Sequence, residues 1–213
     1  MSDADRVLSL LIHDLRTPLG VAHGYLRLVR ADKLPTAEDR DRALAGTQEA
    51  LARISRLCAD ASAFLDDAAP AAGRAPALEL VDRVVAVLDA RGIPLDEAAA
   101  ATGVVTVGIS LDRAADAIVT LLASRAPNAL GASARVEVRP TELCFVCGRP
   151  PANGTPLDTD GADSAPPFDP WQSAPSLPVV LAHRVVTGLG GRIWTLDGGR
   201  RIGLALPLES RDA

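Results

Sequence analysis

The stretch Leu11-Ile12-His13-Asp14-Leu15-Arg16-Thr17-Pro18-Leu19 sets an imidazole beside a carboxylate, with a guanidinium and a hydroxyl three and four residues further on. On a helix, residues three and four apart share a face, so His13, Arg16 and Thr17 are expected together. Neutral imidazole is a nucleophile near physiological pH, and a phosphorylated ring nitrogen keeps a high transfer potential. Asp14 can accept a hydrogen bond from the ring or act as a weak general base. The chemistry available is nucleophilic group transfer through His13, against the plainer reading of a surface histidine on a helix. A solvated helix charge is the competing reading for Asp14, as is a surface salt bridge for Arg16.

These side chains need a helix to hold them, and the spacing predicts one over 7–29. Leu8, Ile12, Leu15, Leu19, Ala22, Leu26 and Val29 alternate steps of four and three, the seven-residue pattern of a bundle seam. His13 is one position past that seam and should project from the bundle flank. Ser2 and Asp3 are candidate N-caps, and Pro18 should kink the helix by removing one backbone hydrogen bond. Residues 31–36 read as a connection, with Thr36 capping a second helix that runs to about residue 67. Leu44, Leu51, Ile54, Cys58, Ala61 and Leu65 repeat the seven-residue spacing there. The two helices make an antiparallel hairpin, and a two-fold homodimer closing a four-helix bundle is the simplest cover for its apolar face.

Beyond residue 68 the pattern changes. Residues 69–77 are rich in Ala, Pro and Gly and read as a linker between a hairpin domain over 1–68 and a second domain over 78–213. Helices are predicted over 77–90, 111–124 and 178–187, and strands over 104–109, 135–138, 142–147, 190–196 and 201–206. The interleaving predicts an α/β sandwich with helices on one face of a mixed sheet, so the whole chain is α+β. Residues 149–178 are crowded with Pro, Gly, Asp and Ser and read as a long loop.

Composition excludes several classes. A net charge of -5 and a single lysine, Lys33, argue against nucleic-acid binding and against a basic membrane-binding stripe. No apolar run reaches the length of a membrane span and no basic leader precedes one, so a soluble cytoplasmic protein is expected. Three cysteines do not make a disulfide framework. Cys144 and Cys147 form a Cys-x-x-Cys, but on a strand they point to opposite faces and no second ligand pair follows, so core thiols are expected and no metal site. His183 has no companions of a recognisable site.

The run from Leu11 to Leu19 resembles the phospho-accepting box of the sensor histidine kinases. Further on, His183 to Trp194 with Leu204-Ala205-Leu206-Pro207-Leu208 is similar to the end of the kinases' ATP-binding domain, and Phe168-Asp169-Pro170-Trp171 to its phenylalanine box. The resemblance implies a dimerisation and phosphotransfer hairpin followed by a histidine-kinase-type α/β domain. In relatives a hydroxyl or amide at the position of Thr17 can position water for dephosphorylating a partner.

The departures fall on the nucleotide chemistry, and they make the second domain degenerate. Where the family has a Mg²⁺-binding asparagine, this chain reads Thr120-Leu121-Leu122-Ala123-Ser124-Arg125-Ala126, and the nearest asparagine, Asn128, follows a proline. Where an adenine-recognising aspartate begins a glycine turn, it reads Cys147-Gly148-Arg149-Pro150-Pro151. Where a Gly-x-Gly turn should meet the phosphates, it reads approximately Ser176-Leu177-Pro178. A lost ligand, a lost acceptor and a proline without an N–H each oppose ATP binding.

The expectation is a histidine phosphotransferase that passes a phosphoryl group between receiver-domain aspartates through His13, with Asp14 and Thr17 beside it. No cofactor is expected on this chain, and Mg²⁺ is expected on the receiver. The flank carrying Arg16, Gly20, His23, Gly24 and Arg27, with part of the second domain, is the expected docking surface. The alternatives are a non-catalytic pseudokinase dimer that sequesters a response regulator, or a histidine kinase or receiver phosphatase with an atypical nucleotide site.

Overall fold

The computed structural model describes residues 3–65, 73–98, 103–107, 109–124, 132–149, 164–172 and 176–209. The chain divides into two compact units. One comprises residues 1–67 with 174–178, the other 68–173 with 179–213.

The first unit is a helical hairpin, α1 (Asp3–Arg30) and α2 (Ala37–Leu65). Val7, Pro18 and Ala22 are buried on α1, and Ala43, Thr47, Ala50, Leu57 and Ala61 on α2. The α2 strip is mostly alanine, which lets the two backbones approach closely. At Gly46 even a methyl group would lie 2.5 Å from Cε2 of Tyr25. The one hydroxyl in this strip, Thr47 Oγ1, donates to the Ala43 carbonyl at 2.9 Å, so burial leaves it satisfied.

Sequence spacing assigned one seam, and the structure splits it. The strip of α1 facing α2 includes Val7, Pro18 and Ala22. Leu8, Ile12, Leu19 and Leu26, on the expected seam, are 45%, 58%, 52% and 49% exposed. Leu44 and Leu51 of α2 are 44% and 51% exposed, and Cys58, seven residues on, is exposed as well. The reason is geometric. One neighbouring helix covers only one strip of a cylinder, so a wider apolar face keeps its second stripe open.

Thr36 caps α2 as expected, accepting the Asp39 N–H at 3.0 Å and donating to the Asp39 carboxylate at 2.7 Å. α1 closes with the Lys33 N–H on the Leu28 carbonyl and the Asp32 N–H on that of Val29, with Asp32 at φ 52°. That left-handed closure usually takes glycine. It recurs at Gly92 and Gly190, which end α3 and α5.

The second unit contains β1 (Gly73–Pro76), α3 (Ala77–Ala90), β2 (Leu95–Ala98), β3 (Val104–Val107), α4 (Leu111–Ala123), β4 (Ser133–Arg139), β5 (Glu142–Gly148), α5 (Leu177–Gly188) from Val179 onward, β6 (Arg192–Leu196) and β7 (Arg201–Pro207). The main sheet runs β2-β4-β5-β7-β6, with β2 parallel to β4 and every other pair antiparallel. β1 and β3 form a separate antiparallel pair. Two strands depart from the sequence reading. Gly73–Pro76, expected as linker, is β1, and Leu95–Ala98 is a short strand whose parallel partner is distant in sequence.

Leu143, Phe145 and Cys147 of β5 face the helices, in one core with Leu80, Val84 and Leu88 of α3 and Ile118, Leu121 and Leu122 of α4. Cys144, Trp194 and Ala205 form a cluster on the opposite face. The two cysteines therefore point to opposite faces, as the strand alternation predicted. The Trp194 ring lies on the bare backbone of Gly203, where an added Cβ would sit 2.5 Å from Cε2.

Part of the expected long loop is also ordered. The Phe168 N–H donates to the Ile193 carbonyl at 3.0 Å and the Thr195 N–H to that of Pro166 at 3.2 Å, so this stretch lies along the outer edge of β6. Among the described residues no helix is long and apolar enough to cross a membrane.

Gly203→Ala should lower stability by about 1–3 kcal/mol, because a methyl group there overpacks a buried indole. A denaturant titration giving a wild-type midpoint would refute that packing.

Candidate functional site

His13 stands on the open flank of α1 with its side chain 76% exposed. Its Nδ1 lies 3.0 Å from Asp14 Oδ1, while the Asp14 side chain is only 16% exposed. An ionised carboxylate only accepts, so in the neutral ring the proton of this contact sits on Nδ1. Nε2 then carries the free lone pair and faces solvent. Asp14 Oδ2 accepts the backbone N–H of Leu177 at 3.0 Å, and residues 174–178 fall in the same compact unit as the hairpin. Both carboxylate oxygens are thus engaged, which fixes the group that orients the ring.

The chain stays helical through Pro18, whose missing N–H leaves the Asp14 carbonyl without its usual helix donor. Arg16 and Thr17 are exposed on α1, one turn beyond His13. Gly20, His23, Gly24 and Arg27 continue along exposed positions of the helix, and a Cβ added at Gly20 or Gly24 would meet nothing within 4 Å. The structure therefore places all eight sequence-flagged residues on one helix, every one exposed except Asp14.

Sequence reading named no site residue on α2, yet the antiparallel pairing brings that helix level with Asp14. A cavity of about 490 Å³ is lined by Asp14 from α1 and by Glu49, Arg53, Arg56 and Asp60 from α2. Counting back along the two helices from their connection was the available signal.

In the second unit, the positions flagged for a nucleotide carry other interactions. Thr120 Oγ1 accepts from Arg91 at 3.3 Å, and the Ser124 hydroxyl donates to the Leu121 carbonyl at 2.6 Å, closing the end of α4. The Cys147 thiol is buried at the sheet's helix-facing side, and burial pushes it up to about 11, as it does Cys144. A Cβ at Gly148 would lie 2.7 Å from Arg201 Cγ. Asn128, Pro150 and Pro151 lie outside the described residues. Among the described residues no group of three or more His, Cys, Asp or Glu side chains could hold a metal ion.

His183, expected to be merely structural or solvent-exposed, has a defined place. Its ring lies 6.1 Å from that of Phe168, which is itself buried in the core. Burial lowers the His183 pKa below 6.5, against a smaller upward pull from a hydrogen bond to the Phe168 backbone and from the Asp169 charge. The phenylalanine-box segment is thereby pinned on one side by β6 and on the other by α5.

No protein-family model and no curated protein matches the chain. Solved structures do. The Acinetobacter baumannii histidine kinase AdeS is matched with a TM-score of 0.57 at 14% identity, over 94% of this chain and 98% of that one. Histidine kinase ThkA in complex with response regulator protein TrrA is matched at 0.58 and 14%, over 99% and 66%. Full-length ShkA in complex with AMPPNP is matched at 0.53 and 18%, over all of this chain and 47% of that one. The fold is that of a histidine kinase core. This kinase-core fold agrees with the resemblance read from the His13 segment, and at such identities it establishes architecture alone.

The lowered His183 pKa means the fold prefers the neutral ring. Its contribution to stability should be full above pH 6.5 and disappear as the pH falls through the depressed folded value. Thermal unfolding of wild type and His183→Gln across this range should show the difference between them shrinking on acidification. A difference constant with pH would exclude the half-buried neutral imidazole.

Proposed function

We propose that the chain is a histidine phosphotransferase that relays phosphoryl groups between receiver domains without using ATP. The observation carrying this reading is the exposed His13 ring with Nδ1 held by a half-buried Asp14. Nε2 attacks the phosphorus of a receiver's aspartyl phosphate, the nitrogen–phosphorus bond forms as the acyl phosphate bond breaks, and the aspartate leaves as carboxylate. Asp14 offsets the positive charge that develops on the ring. The reverse step delivers the group to a second receiver. Mg²⁺ and the acidic pocket belong to the receivers, so this chain supplies position and a docking surface.

Three features support the absence of ATP chemistry. The hydroxyls at the end of α4 are occupied by Arg91 and by their own helix, and neither is an amide that could replace the missing magnesium ligand. Cys147 is a buried protonated thiol where an exposed carboxylate would be needed. The Leu177 N–H is spent on Asp14, and Pro178 has none to offer. Full-length ShkA, of similar fold, is seen with AMPPNP, so the objection lies in these side chains and not in the fold.

A receiver partner is supported by ThkA, whose solved complex holds its response regulator. On this chain the docking surface would be the exposed run Arg16, Gly20, His23, Gly24 and Arg27, where the two glycines leave room for a close approach. The second apolar stripe, with Leu8, Ile12, Leu19 and Leu26 on α1 and Leu44 and Leu51 on α2, supports a homodimer closing a four-helix bundle. Burying side chains of this size contributes roughly 1.5–3 kcal/mol each when complete.

Incubation with a radiolabelled phospho-receiver should label the chain, and His13→Gln should abolish that labelling. Gly24→Leu should keep the helix yet slow labelling by crowding the docked receiver. Labelling from ATP alone would sink the relay in favour of a kinase. Undiminished pathway output from the His13→Gln protein would favour the sequestering scaffold.

Wild-type protein should have a dimer mass by light scattering, and Leu51→Glu should give a helical monomer. A monomeric wild type would remove the bundle.

A further inference from the structure

We infer that Arg53 and Arg56 form an anion subsite on α2 that holds the phosphoryl group at His13. The inference rests on the relay reading for its biological sense, but not for its test. A phosphoryl group arriving at Nε2 brings about two negative charges, and α1 offers only Arg16 nearby to meet them. The antiparallel hairpin supplies the rest. Arg53 and Arg56 are three residues apart, on one face of α2, and both line the cavity that Asp14 lines from α1. Both are exposed, and neither has an ion-pair or hydrogen-bond partner among the described residues. Other arginines of the hairpin differ, since Arg40 pairs with Asp32 and Arg42 with Glu38 and Asp39.

The acids lining the cavity have to be weighed against them. Asp14 has committed both oxygens, to His13 and to the Leu177 N–H. Asp60 already has an interaction of its own. Glu49 is the remaining carboxylate, facing two guanidiniums. A guanidinium presents paired N–H donors that match phosphate geometry, so two of them one helical turn apart suit a tetrahedral dianion. Asp14 meets the ring at Nδ1, leaving the phosphoryl group on Nε2 for the arginines. One carboxylate and two guanidiniums thus divide the ring and its cargo between α1 and α2.

Phosphoramidate tests this without any receiver. Nε2 attacks phosphorus, the phosphorus–nitrogen bond of the reagent breaks, and ammonia leaves. In the full chain His23 is an internal control, because it is exposed on the same helix but is followed by Gly24 instead of a carboxylate. Labelling at the two histidines is read by mass spectrometry under non-acidic conditions. His13 should react faster than His23 in wild type. Arg53→Ala with Arg56→Ala should slow His13 roughly tenfold, a modest loss for exposed donors, and leave His23 unchanged. Lysines at both positions should restore part of the rate, and Glu49→Gln should raise it. Equal His13 rates in wild type and the double alanine variant would overturn the subsite, as would no labelling of His13 at all. Failure of transfer from a phospho-receiver, with the phosphoramidate result intact, would instead overturn the relay.

Discussion

The close contact between α1 and the alanine strip of α2 governs the chemistry of this protein. Ala43, Ala50 and Ala61, with Gly46 under Tyr25, bring the helices near enough that residues flanking the buried strip of α1 face different environments. Asp14 falls at the margin and is mostly shielded, while His13, one residue earlier, is turned out to solvent. A carboxylate is thereby held in place beside an imidazole that is open to solvent. A bulkier α2 strip would widen the gap and loosen Asp14, so the precision of the site begins with the smallest side chains.

The second unit has the sheet and helices of a histidine kinase core, and its polar groups make contacts within the unit. The Ser124 hydroxyl closes the end of α4, Thr120 accepts from Arg91, and the Cys147 thiol faces the core. The segment around Phe168 is fastened to β6 by main-chain bonds and to α5 by His183. The apolar core of this unit lies between α3, α4 and the sheet.

Much of this was readable in advance for identifiable reasons. α3 was placed residue for residue, because Leu80, Val84 and Leu88 recur on one face and Gly92 stands where a left-handed closure is needed. β5 was legible from its alternation. β2 was not, since four residues pairing in parallel with a distant strand carry almost no local pattern. β1 was hidden by composition, its Gly-Arg-Ala-Pro reading as a connection until Val104–Val107 supplied an antiparallel partner. On α1, spacing alone could not separate the buried strip from the open one, because the two lie side by side and share Ala22.

Sequence by itself determined the chemistry available: a nucleophilic ring, an adjacent acid and a helix to carry them. Those follow from covalent identity and from the fixed angular step of a helix. The tertiary structure decided which stripe of α1 is buried and which stays open. It also decided that both oxygens of Asp14 are engaged, and that Arg53 and Arg56 share its cavity. Those facts depend on which backbone lies alongside, a distance of dozens of residues along the chain that no local pattern encodes.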